Sequence, residues 1–257
     1  MIAIGSSADV HERRSTMKVI IDTPEGIAKQ AAAIYKEILD AKPNAVLGFA
    51  TGSTPLDTYA ELIKLYEAGE ISFKDVTTFN LDEYVGLEPT HDQSYRYFMD
   101  TNLFNHVDLD PANTHVPSGL DTSDEALAAY DAAIEAAGGE DLHILGIGVN
   151  GHIAFNKPGD PIDTMTHVVE LTQNTREVNA RFFDSLDDVP THAVTMGIKS
   201  IMHARKLILI ALGEAKADAI KAAVEGRVDP ACPASVLQLH PDVTFFCDEG
   251  AASKLTL

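Results

Sequence analysis

AVLGFATGSTPLDTY, residues 45–59, is the segment that decides the fold class of this chain of 257 residues. Residues 45–50 are apolar or small throughout, as in a strand that is buried on both faces. A short loop of hydroxyl-bearing residues and glycine follows, and from Pro55 to Tyr66 the apolar residues recur at helical spacing. Strand, loop and helix in this order are the repeating unit of an α/β fold.

The same unit recurs along the rest of the chain. Strands are predicted at 76–81, 141–148, 191–196, 206–212 and 242–248, and helices at 93–104, 124–137 and 214–224. The strands are continuous apolar runs, which is typical of strands covered on both faces in a parallel sheet. The pattern therefore predicts a doubly wound α/β fold, with a mostly parallel sheet and helices on both faces.

Both ends of the chain fit one domain of this kind. Residues 1–16 show neither the order of a signal peptide nor a periodic pattern, and are interpreted as a loose N-terminal extension. Met17 opens the periodic sequence and is an alternative start to Met1. Residues 17–257 are predicted to form a single α/β catalytic domain.

The composition restricts which binding partners and which cell compartment are expected for the protein. The chain has 39 acidic and 19 basic residues, a net charge of −20, which argues against nucleic acids and anionic membranes as partners. No apolar run approaches the ~18 residues that a membrane span needs. Cys232 and Cys247 are interpreted as reduced core thiols, as expected of a cytoplasmic protein.

The loop after the first quoted strand has two interpretations. Thr54 and Pro55 are a common start of a helix, with Thr54 as the N-cap. The small residues Gly52, Ser53 and Thr54 at a helix start also suit a phosphate, because free amides and the helix dipole favour an anion there. The loop lacks the lysine of a Walker motif and the spacing of a dinucleotide fingerprint, which disfavours nucleotides.

Two other strand ends carry groups that can move protons. Asp82 directly follows a strand, where a carboxylate serves either as a general base or as part of a solvated loop. His152 is the last residue of the glycine-rich run LGIGVNGH, residues 145–152, and its imidazole can exchange a proton near pH 7. The alternative for His152 is a structural role.

Basic residues complete the candidate site. Lys216 lies in the first turn of a predicted helix, where the dipole disfavours a cation unless an anion is held nearby. Arg181 is a second candidate, since a guanidinium suits bidentate contact with phosphate. Both have solvated surface residues as the alternative. Metal-ligand spacing and a serine nucleophile elbow are absent from the sequence. The set suits proton transfer on a sugar phosphate without a cofactor.

Several blocks of the sequence, in this order, resemble the glucosamine-6-phosphate deaminase family. They are LGFATGSTPLDTY (47–59), TTFNLDEYVGL (77–87), LGIGVNGHIAFN (145–156), NARFFDSLDDVP (179–190) and ALGEAKADAIKAAVEG (211–226) with PASVLQLHPDVTFFCD (233–248). The resemblance covers residues 17 to about 252. It implies a modified Rossmann-like fold and conversion of D-glucosamine 6-phosphate and water to D-fructose 6-phosphate and ammonia, without metal or cofactor.

The resemblance also implies a role for each candidate residue. Asp82 matches the base that moves the C2 proton to C1, His152 the residue that opens the sugar ring, and Asn150 its orienting neighbour. The phosphate contacts match the loop Gly52, Ser53 and Thr54 together with Arg181 and Lys216. Residues 171–191 resemble a lid over the active site.

Lys157 departs from the family pattern, which has FNEP where this chain has FNKP. A lysine cannot accept the imidazole N–H that a glutamate would accept. If its ammonium lies within ~4–6 Å of His152, it should lower the histidine pKa and slow ring opening. Alternatively, Lys157 turns to solvent or pairs with Asp160 and leaves His152 unaffected.

Other readings remain open at this point. 6-Phosphogluconolactonase shares the implied fold, and a catalytically weakened sugar-phosphate-binding homologue is a second alternative because of Lys157. A sugar-phosphate sensor is disfavoured, since the 16 residues before Met17 are too few for a DNA-binding segment. The stretch GDPIDTMTHVVEL, residues 159–171, lacks the basic residues of an allosteric activator site, which favours a monomer or small homo-oligomer. The choice between glucosamine and galactosamine 6-phosphate is open.

Overall fold

The computed structural model describes residues 16–173, 176–177, 180, 183 and 185–256. The predicted N-terminal extension therefore lies outside the described residues, apart from residue 16. The strands are β1 (Thr16–Ile21), β2 (Val46–Phe49), β3 (Thr77–Asn80), β4 (Asp82–Tyr84), β5 (Thr114–His115), β6 (Leu142–Leu145), β7 (His167–Glu170), β8 (His192–Thr195), β9 (Leu207–Ala211) and β10 (Asp242–Cys247).

A parallel sheet of seven strands forms the centre of the fold. Its order is β1-β10-β9-β6-β2-β3-β5, and every pair in it is parallel. All residues of β2, β6 and β9 are buried. Because successive side chains point to opposite faces, both faces of these strands are covered. The mostly parallel α/β sheet predicted from the apolar runs is confirmed.

The α-helices are α1 (Pro24–Ala41), α2 (Leu56–Glu67), α3 (Tyr95–Asn102), α4 (Asp124–Ala136), α5 (Ile198–Met202), α6 (Ala217–Glu225) and α7 (Glu249–Ala252). Helices are found in all the predicted places. α3 begins at Tyr95 because the Ser94 hydroxyl accepts the Tyr97 amide and caps it. The helix predicted at 214–224 begins as a 3₁₀ turn, Glu214–Lys216, and continues as α6. None of the described helices is both long and apolar enough to cross a bilayer.

A second, smaller sheet is antiparallel and has the order β4-β8-β7. The strand predicted at 191–196 is present as β8, but it belongs to this sheet rather than to the parallel one. Leu81 joins the two sheets, since its amide donates to the Phe49 carbonyl at 3.3 Å and its carbonyl accepts from the Met196 amide at 2.7 Å. β3 therefore passes directly into β4.

The strand order creates a crevice at the carboxyl ends of β2 and β6. After β2 the chain continues to β3 and β5 on one side, whereas after β6 it continues to β9 and β10 on the other. The two strands are neighbours, so the connections that leave them diverge. Ligands of open α/β sheets bind at such a topological switch point.

Candidate active site

A cavity of about 390 Å³ occupies this crevice. The connections that follow β2, β3, β6 and β9 all contribute to it, together with α3. Its walls include Thr51, Thr54, Asp82, Tyr95, Gly146, Gly148, His152, Ala154, Phe155 and Lys216. The fold thus brings the four strand ends selected from the sequence to one cavity.

The loop after β2 is not a helix start capped by a side chain. α2 begins at Leu56, and no side chain caps it, so the interpretation of Thr54 as an N-cap is wrong. The turn uses Gly52 at φ +94°, a left-handed conformation that suits glycine. Within the described residues, the amides of Gly52, Ser53 and Thr54 meet no acceptor. Thr51 and Thr54 line the cavity, whereas Gly52 and Ser53 are exposed and are not among the residues that line it.

Asp82 and Glu83 are adjacent acids with different surroundings. Alternation along β4 sends their side chains to opposite faces. Glu83 accepts the amides of Tyr84, Tyr95 and Arg96 at 2.8–3.0 Å, and so binds the first turn of α3. Asp82 lines the cavity and makes no side-chain hydrogen bond to a described residue. Glu83 is therefore structural, and Asp82 is the acid available for chemistry.

Burial, followed by the nearby charge of Glu83, raises the pKa of Asp82 to about 8. Burial also raises the pKa of Glu83, although its three amide hydrogen bonds oppose that shift. A carboxylate with a pKa near neutrality is a stronger base than an ordinary aspartate, while enough of it stays ionised at neutral to alkaline pH to act.

His152 is held by Asn150. The Asn150 Oδ1 atom accepts the His152 backbone amide at 3.2 Å and lies 2.6 Å from the ring Nδ1. Because that oxygen is an acceptor, Nδ1 carries the hydrogen and Nε2 keeps a free lone pair. Burial, followed by the charge of Lys216, lowers the pKa of His152. The imidazole is thus a neutral base with one defined tautomer.

The imidazole also depends on the glycine that precedes it by four residues. A Cβ atom on Gly148 would lie 2.0 Å from the His152 ring, so only glycine allows this packing. The glycine therefore makes room for the imidazole, in addition to any room that it leaves for a sugar. The turn after His152 places Ala154 at φ +51°, a strained conformation for alanine on the cavity wall.

Lys216 enters the cavity from the connection that follows β9. Its Nζ donates to the Ile147 carbonyl at 2.6 Å, and burial lowers its pKa. An ammonium has three hydrogens, so this contact leaves two of them for a ligand. The residue lies in the 3₁₀ turn with which the predicted helix begins, one position before α6, and shares the cavity with Asp82 and His152.

Lys157 lies beside a smaller cleft of about 40 Å³ that His152 also lines. Its ammonium donates to the Glu170 carbonyl on β7 at 2.9 Å, and its backbone amide donates to the Asp160 carboxylate at 2.7 Å. The cation that lowers the pKa of His152 is Lys216, whereas Lys157 is bound to the small sheet. The ammonium therefore does not pair with Asp160, as the alternative interpretation expected, and the Asp160 carboxylate binds the backbone amide of Lys157 instead.

Tyr95 and Glu83 were not selected from the sequence. Tyr95 forms a wall beside Asp82, and its ring stacks on Phe155 at 6.3 Å between centroids. The pairing of β4 with β8 determines which of Asp82 and Glu83 faces the cavity, and this pairing is not visible in the local sequence. Arg181, predicted as a phosphate ligand, lies outside the described residues, as does part of the predicted lid.

The fold and cavity define an α/β protein in which a carboxylate, an imidazole and an ammonium meet at the switch point. The family described as glucosamine-6-phosphate isomerases/6-phosphogluconolactonase matches residues 22–246. This chain belongs to that family. Curated relatives called glucosamine-6-phosphate deaminase include one from Thermoanaerobacter pseudethanolicus, 53% identical over 93% of this chain and 95% of the relative. Another, from Clostridium perfringens, is 50% identical over 92% and 98%.

Solved structures agree with this assignment. One described as a monomeric glucosamine-6-phosphate deaminase has a TM-score of 0.89 and 41% identity, over 93% of this chain and all of the other. A 6-phosphogluconolactonase from Trypanosoma cruzi has a TM-score of 0.74 and 20% identity, over 96% of this chain and all of the other. The second likeness concerns the fold alone.

Proposed function

We propose that this protein is a glucosamine-6-phosphate deaminase, which converts D-glucosamine 6-phosphate and water to D-fructose 6-phosphate and ammonia. The observation that carries the proposal is the meeting of Asp82, His152 and Lys216 in one cavity at the switch point. The names of relatives at about 50% identity support the same activity.

The substrate phosphate binds at the loop of Gly52, Ser53 and Thr54. The amides of this loop and the two free hydrogens of Lys216 supply the donors for its oxygens. They provide a local positive potential in a protein whose net charge is −20. Arg181 remains a predicted further ligand of the phosphate.

His152 opens the sugar ring. Its Nε2 takes the proton of the C1 hydroxyl, the C1–O5 bond breaks, and the imidazolium returns the proton to O5. The product is the open-chain aldehyde. Asn150 holds the Nδ1 hydrogen in place, so one nitrogen serves both proton transfers. The half-buried, neutral imidazole is in the correct state to begin this step.

Asp82 then moves a proton from C2 to C1. The carboxylate removes the C2 proton, the C1–C2 double bond forms as the π pair of the C1 carbonyl moves to O1, and O1 takes a proton from solvent to give the enolamine. Asp82 then returns its proton to C1, while the nitrogen lone pair forms an iminium at C2. Water adds to the iminium carbon, and ammonia leaves as the C2 carbonyl forms. A single group that carries a proton between neighbouring carbons must not be held by another hydrogen-bond donor. The Asp82 carboxylate accepts no hydrogen bond from a described residue and meets this condition.

We further propose that the enzyme is a cytoplasmic monomer. The monomeric deaminase with a TM-score of 0.89 supports this state. Light scattering on the purified protein should give a mass near 27.7 kDa, the mass of one chain. A mass of two chains or more would contradict the monomer without affecting the proposed reaction.

The reaction is tested by measuring ammonia and fructose 6-phosphate in parallel. Equal amounts of both products should form from glucosamine 6-phosphate, and free glucosamine should be a very poor substrate. Galactosamine 6-phosphate tests the configuration at C4. Hydrolysis of 6-phosphogluconolactone without ammonia release from any amino sugar would overturn the proposal in favour of a lactonase.

A further inference from the structure

Two tyrosine hydroxyls make the same pair of hydrogen bonds at two strand ends. The Tyr59 hydroxyl accepts the Ala50 amide at 3.1 Å and donates to the carbonyl of the same residue at 2.5 Å. The Tyr130 hydroxyl accepts the Asn80 amide at 3.1 Å and donates to its carbonyl at 2.7 Å. One hydroxyl can do both because it has one hydrogen and two lone pairs.

Both tyrosines act where the sheet pairing stops. The pairing of β2 with β6 ends at Gly48, and the pairing of β3 with β5 ends at Phe79. Ala50 and Asn80 lie just beyond these points and are buried, at 5% and 0% exposure. Their backbone groups would otherwise lie buried without the partners that a neighbouring strand supplies.

These two strand ends lead into different parts of the site. Ala50 precedes the loop that is proposed to bind phosphate, and Tyr59 lies on α2, which follows that loop. Its hydroxyl thus ties one end of the loop to the helix at the other end. Asn80 lies two residues before Asp82, and Tyr130 connects it to α4. Burial raises the pKa of both tyrosines, so each hydroxyl keeps its hydrogen.

We propose that Tyr59 and Tyr130 are positioning residues with separate tasks, Tyr59 for the phosphate-binding loop and Tyr130 for Asp82. The inference rests on the proposed function, since it assigns the loop to substrate binding and Asp82 to the chemical step. Neither hydroxyl touches the substrate. Each acts through the backbone of the residue that it holds.

Replacement of each tyrosine by phenylalanine separates the two tasks. Tyr59→Phe should raise KM for the sugar phosphate about tenfold and change kcat less than about twofold, because phosphate is held alike in ground and transition states. Tyr130→Phe should lower kcat about tenfold and change KM less than about twofold, because displacement of a base affects the chemical step.

Tyr35→Phe is the matched control. The Tyr35 hydroxyl donates to the Gly48 carbonyl at 3.2 Å, at a residue of β2 that is still paired with β6 and lies two positions before Ala50. Its loss should leave both kinetic constants within about twofold of wild type, even if the melting temperature falls. The inference is overturned if all three variants behave alike, or if Tyr59→Phe and Tyr130→Phe change the same constant.

Two measurements without turnover keep the test independent of the reaction. Calorimetry with inorganic phosphate at 10 °C should show weaker binding to Tyr59→Phe and unchanged binding to Tyr130→Phe and Tyr35→Phe. Carbon NMR of the Asp82 carboxyl should show a lower pKa in Tyr130→Phe alone, because a loosened strand end admits water. Failure of ammonia release together with this pattern would reject the deaminase and retain the positioning roles. Normal ammonia release without these differences between the variants would reject the positioning roles and retain the deaminase.

Discussion

Charged side chains are paired at the edge of the parallel sheet where its strands begin, and they lack ion-pair partners among the described residues at the edge where its strands end. At the edge where the strands begin, Asp141 binds Lys42 at 2.7 Å and Arg205 at 3.1 Å, and Lys206 binds Asp242. At the edge where the strands end, Asp82, His152 and Lys216 face one cavity and form no ion pair with a described residue. Paired charges support the fold, whereas buried charges without partners have shifted pKa values and are suited to catalysis.

A second depression sharpens this comparison. A wider space of about 790 Å³ lies at the beginning edge, beside Pro43, Lys74, Asp75 and Asp110. It is larger than the proposed active site, but it contains none of the residues selected from the sequence. Volume alone therefore does not identify the site. The titratable groups with shifted pKa values that line the smaller cavity identify it.

Asp82→Asn should produce the largest effect at the ending edge. Loss of a positioned base costs typically ~10²–10⁴-fold in rate, and asparagine cannot remove the C2 proton. Substrate binding should stay nearly intact, because the phosphate is held by other groups. Steady-state kinetics would show a collapse of kcat with KM little changed. A variant with more than about half the wild-type kcat would refute the assignment of Asp82 as the base.

The same substitution should stabilise the protein at alkaline pH. Between pH ~4, the ordinary value for aspartate, and pH ~8 the folded protein holds a proton at Asp82 that the unfolded chain releases. The free energy of unfolding of the wild type therefore decreases as pH rises through this window. Denaturant unfolding at pH 9 should show Asp82→Asn to be more stable by ~1–4 kcal/mol, with no difference at pH 4. Equal stability at both pH values would mean that the Asp82 pKa is not raised.

Lys216→Met should raise KM for the sugar phosphate by about tenfold or more while lowering kcat less, because its ammonium acts on the phosphate in every state of the reaction. Arg181→Met is expected to act in the same direction. Lys221→Met, on the exposed side of α6 where Lys221 pairs with Glu225, is the control and should leave KM unchanged. A drop in kcat at constant KM in Lys216→Met would exclude a role in phosphate binding.

Asp141→Ala tests the beginning edge. The carboxylate also accepts the Val46 amide at 2.8 Å, so its removal leaves a buried N–H without a partner and breaks the ion pairs with Lys42 and Arg205. The expected loss of stability is about 1–3 kcal/mol, measured by denaturant unfolding, with unchanged kcat and KM. Asp218→Ala breaks the exposed pair with Lys254 and should cost less than about 0.5 kcal/mol. A lower kcat or a higher KM in folded Asp141→Ala would contradict the assignment of a purely structural role to the charges at the beginning edge.

Lys157→Glu is expected to have the smallest effect. A glutamate here could accept an imidazole N–H and support the protonated ring, which should raise kcat a few-fold and shift the pH optimum upward. Lys157→Met removes the charge without adding an acceptor and separates the two contributions. Equal or lower kcat at every pH in Lys157→Glu would show that the bonds of Lys157 to the small sheet make the glutamate unnecessary.

The repeating apolar strands and the residues at their ends were sufficient to predict the parallel sheet and the meeting of Asp82, His152 and Lys216. Local pattern could not predict the small sheet. β4 has only three residues, and its pairing with β8 joins segments more than 100 positions apart. For the same reason the sequence could not decide which of Asp82 and Glu83 faces the cavity. The Thr54 cap was mispredicted because its signal is shared with anion-binding loops.

Leu81 has a consequence for which substrates fit. The loop proposed to bind phosphate follows β2 of the large sheet, Asp82 lies in the small sheet, and the backbone of Leu81 is hydrogen-bonded to Phe49 on one side and Met196 on the other. The span between the proposed phosphate site and the proposed base is therefore fixed by main-chain geometry rather than by side-chain rotamers. Substitutions on the cavity wall can change which sugar substituents the cavity accepts. The number of carbon atoms between the phosphate and the reacting carbon of an accepted substrate is set by the backbone.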